Sequence, residues 1–310
     1  MPIASFVFLD FGPWTLDLGL NMTVLEGIQK STGFLAKKDV ESPRLQAELL
    51  LAHVLKLPRM KLYLNFERAL ADAETNTFRD LVKRRSQREP LQHIIGSTSF
   101  CGFEIAVNRH VLVPRPETEL LAEAGWSFLS TINPQPSTAL DFGTGSGCIA
   151  IALAAKSPTA KITALDVSPE ALEVARQNAV QNHVVDRIEF IQGDGFKSLP
   201  GAPQFDLIIS NPPYIPTAEI ETLDPEVRDY DPRSALDGGA DGLDFYRRFA
   251  AEARDFLNPA GKIMLEFGDG QADAIREIFE AQNWIVEAIR EDYTRRQRIL
   301  IAKANANSRR

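Results

Sequence analysis

The segment that most narrows the fold is Ala139-Leu140-Asp141-Phe142-Gly143-Thr144-Gly145-Ser146-Gly147, which runs directly into the apolar stretch Cys148-Ile149-Ala150-Ile151-Ala152-Leu153. A short apolar strand that turns through spaced glycines into an apolar helix is the opening of a β-α-β unit. Glycines admit positive φ and leave bare backbone for a ligand, while the first N–H groups of the helix lack partners of their own. A cofactor-binding turn over Gly143, Thr144, Gly145, Ser146 and Gly147 is therefore expected. The spacing leaves the cofactor open, because Gly145-x-Gly147-x-x-Ala150 also satisfies a dinucleotide fingerprint.

After Val113-Pro114-Arg115-Pro116 the alternation continues. It predicts helix 117–130, strand 138–142, helix 147–156, strand 161–165, helix 169–181 and strands 188–192 and 205–210. Helix 242–257, strand 261–267, helix 271–281 and a closing pair near 284–290 and 297–302 follow. Such a series implies an α/β fold with a doubly wound, mostly parallel sheet and ligands beyond the carboxyl ends of its strands. Upstream, residues 22–88 read as a small helical domain broken at Ser42-Pro43 and Leu57-Pro58. Two β-type runs, Leu91 to Phe100 and Phe103 to Val107, flank Cys101-Gly102 and predict a hairpin connector over 89–110, with the larger domain occupying 111–303. Residues 1–21 carry Asp10 and Asp17, lack a basic leader region and hold no run long enough to span a bilayer. Met22 opens the helical pattern, so 1–21 is expected to be a poorly ordered extension from an upstream start.

The formal net charge of −8 argues against holding a long phosphate backbone by bulk electrostatics, which makes protein or a small molecule the expected partner and stable nucleic-acid binding unexpected. Two isolated cysteines, Cys101 and Cys148, and four histidines without ligand spacing (His53, His93, His110, His183) predict neither a disulfide framework nor a metal site. A reducing cytoplasm fits this composition.

Asp166 ends the strand Ile162-Thr163-Ala164-Leu165-Asp166, at the distance where an acidic residue accepts hydrogen bonds from ribose hydroxyls of NAD or of S-adenosylmethionine. Ser168 is better placed than Asp166 to cap the helix that follows. Farther on, Gln192-Gly193-Asp194-Gly195-Phe196 closes the third strand; Asp194 would meet an adenine amino group and Phe196 its ring face, with an ordinary turn as the competing reading.

The deciding segment is Phe205-Asp206-Leu207-Ile208-Ile209-Ser210-Asn211-Pro212-Pro213-Tyr214, a buried strand that delivers Asn-Pro-Pro-Tyr to the carboxyl edge of the sheet. An amide nitrogen is a poor nucleophile because its lone pair is delocalised, so a site that methylates one must hold both N–H groups and align the nitrogen. Asn211 offers a side-chain oxygen for one N–H, and the backbone carbonyl at Pro212 serves the other. Tyr214 can stack on the planar group, and two acceptors so placed favour a nitrogen that is becoming sp³-like and positive.

At this point the sequence resembles the peptide chain release factor N(5)-glutamine methyltransferases, from roughly Met22 to Ala302. The resemblance rests on Arg88-Glu89-Pro90-Leu91-Gln92-His93-Ile94-Ile95-Gly96, Val113-Pro114-Arg115-Pro116-Glu117-Thr118-Glu119, Asp141 to Gly147, Asn211 to Tyr214, and Ala235 to Leu243. It implies a seven-stranded methyltransferase sheet, S-adenosylmethionine held by Gly143 to Gly147 and Asp166 with residue 195 beside the adenine, and a substrate glutamine held by Asn211, Pro212, Pro213 and Tyr214. The substrate it implies is the Gly-Gly-Gln glutamine of class 1 release factors, gripped away from the chemistry by the helical domain. Gly195 departs from members with an aromatic there, leaving Phe196 or Phe100 as candidates for that contact. Arg115 and Glu117 read as helix initiation, and 238–242 as either a lid or a long loop. The rivals are an exocyclic-amino nucleic-acid methyltransferase, a non-catalytic binding protein that kept the cofactor loop, and a nicotinamide dehydrogenase.

Overall fold

A computed structural model describes residues 22–132 and 136–305, so the expectation for 1–21 lies outside the described residues. The chain forms two compact units divided between Leu91 and Gln92. In the smaller unit, α1 (Val24–Ala36), α2 (Pro43–Leu55), α3 (Arg59–Leu62) and α4 (Asp72–Ser86) bury Leu35, Leu50, Leu51 and Phe78. Helix α1 starts on a reciprocal cap, with Glu26 N–H donating to Thr23 Oγ1 at 3.3 Å and Thr23 N–H to Glu26 Oε2 at 2.9 Å. Pro43 opens α2 as the sequence indicates. Buried Arg85 donates to Gln46 Oε1 at 2.9 Å, tying α4 to α2.

The division runs through a short helix, α5 (Leu91–Ile95), where the sequence predicts a strand. Ile94 and Ile95 favour β structure, but Pro90 precedes the first turn and Gly96, at φ +89°, ends it by donating to Gln92 O. Punctuation thus outweighs β-branching over five residues. The hairpin is shorter than expected, β1 (Ser97–Phe100) against β2 (Phe103–Ala106), and it belongs to the larger unit rather than standing apart as a connector.

The larger unit continues with α6 (Pro116–Leu129), β3 (Thr138–Phe142), α7 (Cys148–Lys156), β4 (Lys161–Asp166), α8 (Pro169–Gln181), β5 (Ile188–Gln192) and β6 (Phe205–Ser210). After the short helix α9 (Pro225–Arg228) come α10 (Asp244–Glu252), β7 (Leu257–Glu266), α11 (Ala272–Ala281), β8 (Trp284–Glu291) and β9 (Gln297–Ala304). The seven strands stand in the order β5-β4-β3-β6-β7-β9-β8, parallel except for β9, which is antiparallel to both its neighbours. Alternate residues of β3 face opposite layers: Ala139 packs with α6, α7 and α8, while Leu140 and Phe142 pack with α10 and α11. Burial on both faces explains why these strands read as unbroken apolar runs. Strand β7 starts four residues before the predicted 261, because a bulge lets Phe205 pair with Leu257 and Leu207 with Lys262. Gly261 sits at that bulge, where an added Cβ would lie 2.9 Å from Phe205 O. The chain crosses from β5 to the far side of β3, so a crevice opens between the carboxyl ends of β3 and β6.

Candidate active site

A cavity of about 280 Å³ occupies that crevice, lined by Gly143, Thr144, Gly145, Ser146, Asp166, Asp194, Gly195, Asn211, Pro212 and Pro213 among others. Gly143 and Gly145 have φ of +74° and +53°, and a Cβ at either would meet nothing within 4 Å, so at both positions the turn demands glycine for its backbone. Gly147 does not line the cavity. It caps α7, and a Cβ there would lie 2.9 Å from Ala175 Cβ on α8, so this glycine lets two helices approach.

Asp166 holds the turn from the next strand, accepting from Gly145 N–H at 2.8 Å and from Ser168 N–H at 2.9 Å. Burial pushes its carboxyl above the usual range, against the lowering effect of those donors. Ser168 itself caps α8 by accepting from Ala171 N–H at 3.1 Å. Beneath the turn lies Asp141, fully buried, accepting from Thr144 Oγ1 at 2.6 Å and Ala150 N–H at 3.1 Å. Desolvation pushes this carboxyl up to about 7. Asn178 braces the other side, donating to Ser146 O at 2.9 Å and to Ala106 O at 3.0 Å. Neither Asp141 nor Asn178 is flagged by sequence as a site residue, although a buried aspartate within a mostly apolar strand, two residues before a glycine turn, is a signal.

Asp194 lines the cavity and accepts from Arg248 Nη1 at 2.9 Å. Phe196 does not face it. The sequence expectation of an adenine contact is corrected here: Phe196 is 2% exposed and its ring packs against Phe142, Phe249 and Phe256. Gly195, at φ +95°, turns the chain so that the next side chain points into the core. Phe100 is likewise buried, in the layer containing α6 and α7. The phenylalanines that line the cavity are instead Phe142, at the end of β3, and Phe245, from the first turn of α10.

Asn211 and Pro212 line this cavity and a second one of about 280 Å³, to which Tyr214, Arg115, Glu117, Glu266 and Arg298 also contribute. The Asn211 amide donates through Nδ2 to Thr118 Oγ1 at 3.1 Å. Among the described residues nothing donates to Asn211 Oδ1 or to the Pro212 carbonyl. Burial pushes the Tyr214 hydroxyl up to about 12, so it stays protonated. Pro116 and Glu117 do sit in the first turn of α6, as helix initiation requires, while Arg115 additionally pairs with buried Asp231 at 2.8 Å. The 238–242 stretch is laced to the segment after Tyr214, with Gly238 N–H donating to Ile215 O and Thr217 N–H to Gly239 O, both at 2.9 Å. It braces the loop that follows β6.

Comparisons with known proteins bear on the family of the chain. A model described as the PrmC N-terminal domain matches residues 26–96, and one described as the methyltransferase small domain matches 122–223. A release factor glutamine methyltransferase of Geobacter sulfurreducens is 45% identical over 257 residues, covering 83% of this chain and 88% of the relative. Another, from Chlorobaculum tepidum, is 41% identical over 289 residues, covering 91% of this chain and 97% of the relative. A methyltransferase crystallised with SAH shares the fold at a TM-score of 0.50 and 10% identity, over 67% of this chain and 56% of that one. Identity of this level along both units means that the chain belongs to the release factor glutamine methyltransferase family.

Proposed function

We propose that this protein transfers a methyl group from S-adenosylmethionine to the side-chain amide nitrogen of the glutamine in the Gly-Gly-Gln motif of class 1 peptide chain release factors. The observation that carries this reading is the position of Asn211 and Pro212 between two cavities, with two carbonyl oxygens that no described residue engages.

The first cavity suits the cofactor. Its positive-φ glycines leave open space, and Asp166 and Asp194 provide carboxylates for ribose hydroxyls and an adenine amino group, with Phe245 as a ring face. When bound, S-adenosylmethionine supplies an electrophilic methyl group. The protein's own part is positioning: Asn211 Oδ1 and the Pro212 carbonyl accept the two N–H groups of a planar amide. That fixes the nitrogen's direction of approach and favours positive charge on it as the amide loses planarity. Tyr214, neutral, lines the acceptor side. Among the described residues no helix is long and apolar enough to cross a membrane.

The test is mass spectrometry of a class 1 release factor incubated with the protein and S-adenosylmethionine, with duplex DNA offered in parallel. One added methyl on the Gly-Gly-Gln glutamine is expected; label on DNA alone would overturn the reading in favour of an exocyclic-amino methyltransferase.

A further inference from the structure

Asn211-Pro212-Pro213-Tyr214 is hard to anchor through its own backbone. The two prolines carry no N–H and so donate to no neighbour, while the Pro212 carbonyl has to stay open for the acceptor amide. Their rings also fix φ at two consecutive residues, which makes the segment a stiff lever. Whatever holds the Tyr214 carbonyl therefore also sets where the Pro212 carbonyl points.

A glutamine grips that end. Gln271, at the start of α11, donates through Nε2 to Tyr214 O at 2.9 Å and, at a longer 3.5 Å, to Gly242 O. Its Oε1 accepts from Gly268 N–H at 2.9 Å. All three partners are backbone groups with one role each, since an N–H only donates and a carbonyl only accepts, so a single orientation of the amide satisfies them. The Tyr214 ring rests against the same turn. Gly268 is buried, and a Cβ added there would lie 3.1 Å from Tyr214 Cδ2 and 2.9 Å from Gln271 Oε1. Gly242 closes the other side, where an added Cβ would collide with Tyr214 O.

Resting on the acceptor chemistry proposed above, we infer that Gln271 and Gly268 form a seat for Tyr214, with Gln271 the positioning residue that keeps the acceptor loop in place. Gly268 leaves room for the ring, and Gln271 fixes the carbonyl. Gln271 lines neither cavity, so it acts through Tyr214 rather than on the reacting atoms. The glycine turn and Asp166 stand outside this set of contacts, so the effect falls on methyl transfer and not on cofactor binding. The competing role, a clasp on the turn before α11, needs only the bond from Gly268 N–H to Oε1.

Gln271→Glu separates the two roles, because it keeps the shape and an oxygen for Gly268 N–H but sets a second oxygen against the Tyr214 carbonyl. At saturating cofactor and release factor, kcat is expected to fall by about tenfold or more, with cofactor Kd moving less than about threefold. Gly268→Ala crowds the ring and the Gln271 oxygen together, and its severalfold loss should be less than additive with that of Gln271→Glu. A reading free of turnover comes from protein carrying ¹³C-labelled tyrosine, with the Tyr214 ring signals assigned by their loss in Tyr214→Phe. Those signals should shift in both seat variants, and should Gln271→Glu fail to fold, Gly268→Ala carries the same readings. Wild-type kcat in Gln271→Glu, as the clasp alone predicts, or cofactor affinity falling in step with kcat, would overturn the inference. Should the wild-type chain leave release factors unmethylated, the proposed function falls, while unmoved Tyr214 ring signals would separately sink the seat.

Discussion

The two cavities that meet at Asn211 are built by different means. The cofactor side is mostly backbone: a glycine turn whose shape follows from positive φ, closed by one carboxylate at the end of the neighbouring strand. The acceptor side is mostly side chains gathered from α6, the loop after β6, β7 and β9. A backbone site can be written in consecutive residues. A side-chain site draws on residues far apart in sequence and exists only once the elements pack, so the two sides should respond to mutation independently.

The largest effect is expected at the junction. Asn211→Ala should reduce kcat by roughly 100-fold or more, as removal of a preorganised partner in a desolvated site does. Cofactor Kd by calorimetry should stay within about threefold, because the glycine turn and Asp166 are untouched. Joint loss of both would break the comparison.

Next is the buried carboxyl of the acceptor side. Burial raises Glu266 from 4.5 to about 7, despite the Thr118 hydroxyl and with Glu117 adding to the rise while Arg298 and Arg115 oppose it. Because the folded value is the higher one, this stabilising contribution is whole below 4.5 and is lost as pH climbs through about 7. Glu266→Gln does not titrate, so urea unfolding should show almost no gain at pH 4 and a gain of up to about 3 kcal/mol at pH 8. A pH-independent difference would assign the raised value elsewhere.

On the cofactor side, Asp166→Ala removes both the acceptor for Gly145 N–H and a carboxylate facing the cavity. Cofactor Kd should rise by roughly tenfold to 100-fold, with a smaller change of kcat at saturation, the reverse of Asn211→Ala. The smallest effects separate two phenylalanines. Phe245→Ala should weaken cofactor binding severalfold, whereas Phe196→Leu should cost about 1 kcal/mol of stability and leave Kd unchanged.

The same division governs how far the sequence could be read. Strands β3, β5 and β6 and helix α8 fall at their predicted residues, because buried strands and a proline-opened, serine-capped helix are set by local pattern. The errors lie where two local signals competed, as at Leu91–Ile95, or where adjacency in sequence misled, as at Phe196. One residue past Gly195 the chain turns inward, and a ring that lines the cavity, Phe245, arrives about fifty residues later on α10. Thr118 and Glu266 stand inside motifs whose local reading is complete without them: a helix start and the end of a strand.

By itself, the sequence determined the α/β class, the glycine turn with Asp166 beside it, and the delivery of Asn211 and Pro212 to the sheet edge, since each depends on residues adjacent along the chain. Only the tertiary structure decided that Phe245 rather than Phe196 or Phe100 lines the cavity and that Thr118 meets the Asn211 amide. Those choices depend on packing between α6, α10 and the loop after β6, elements that lie far apart along the chain and meet only in the folded unit.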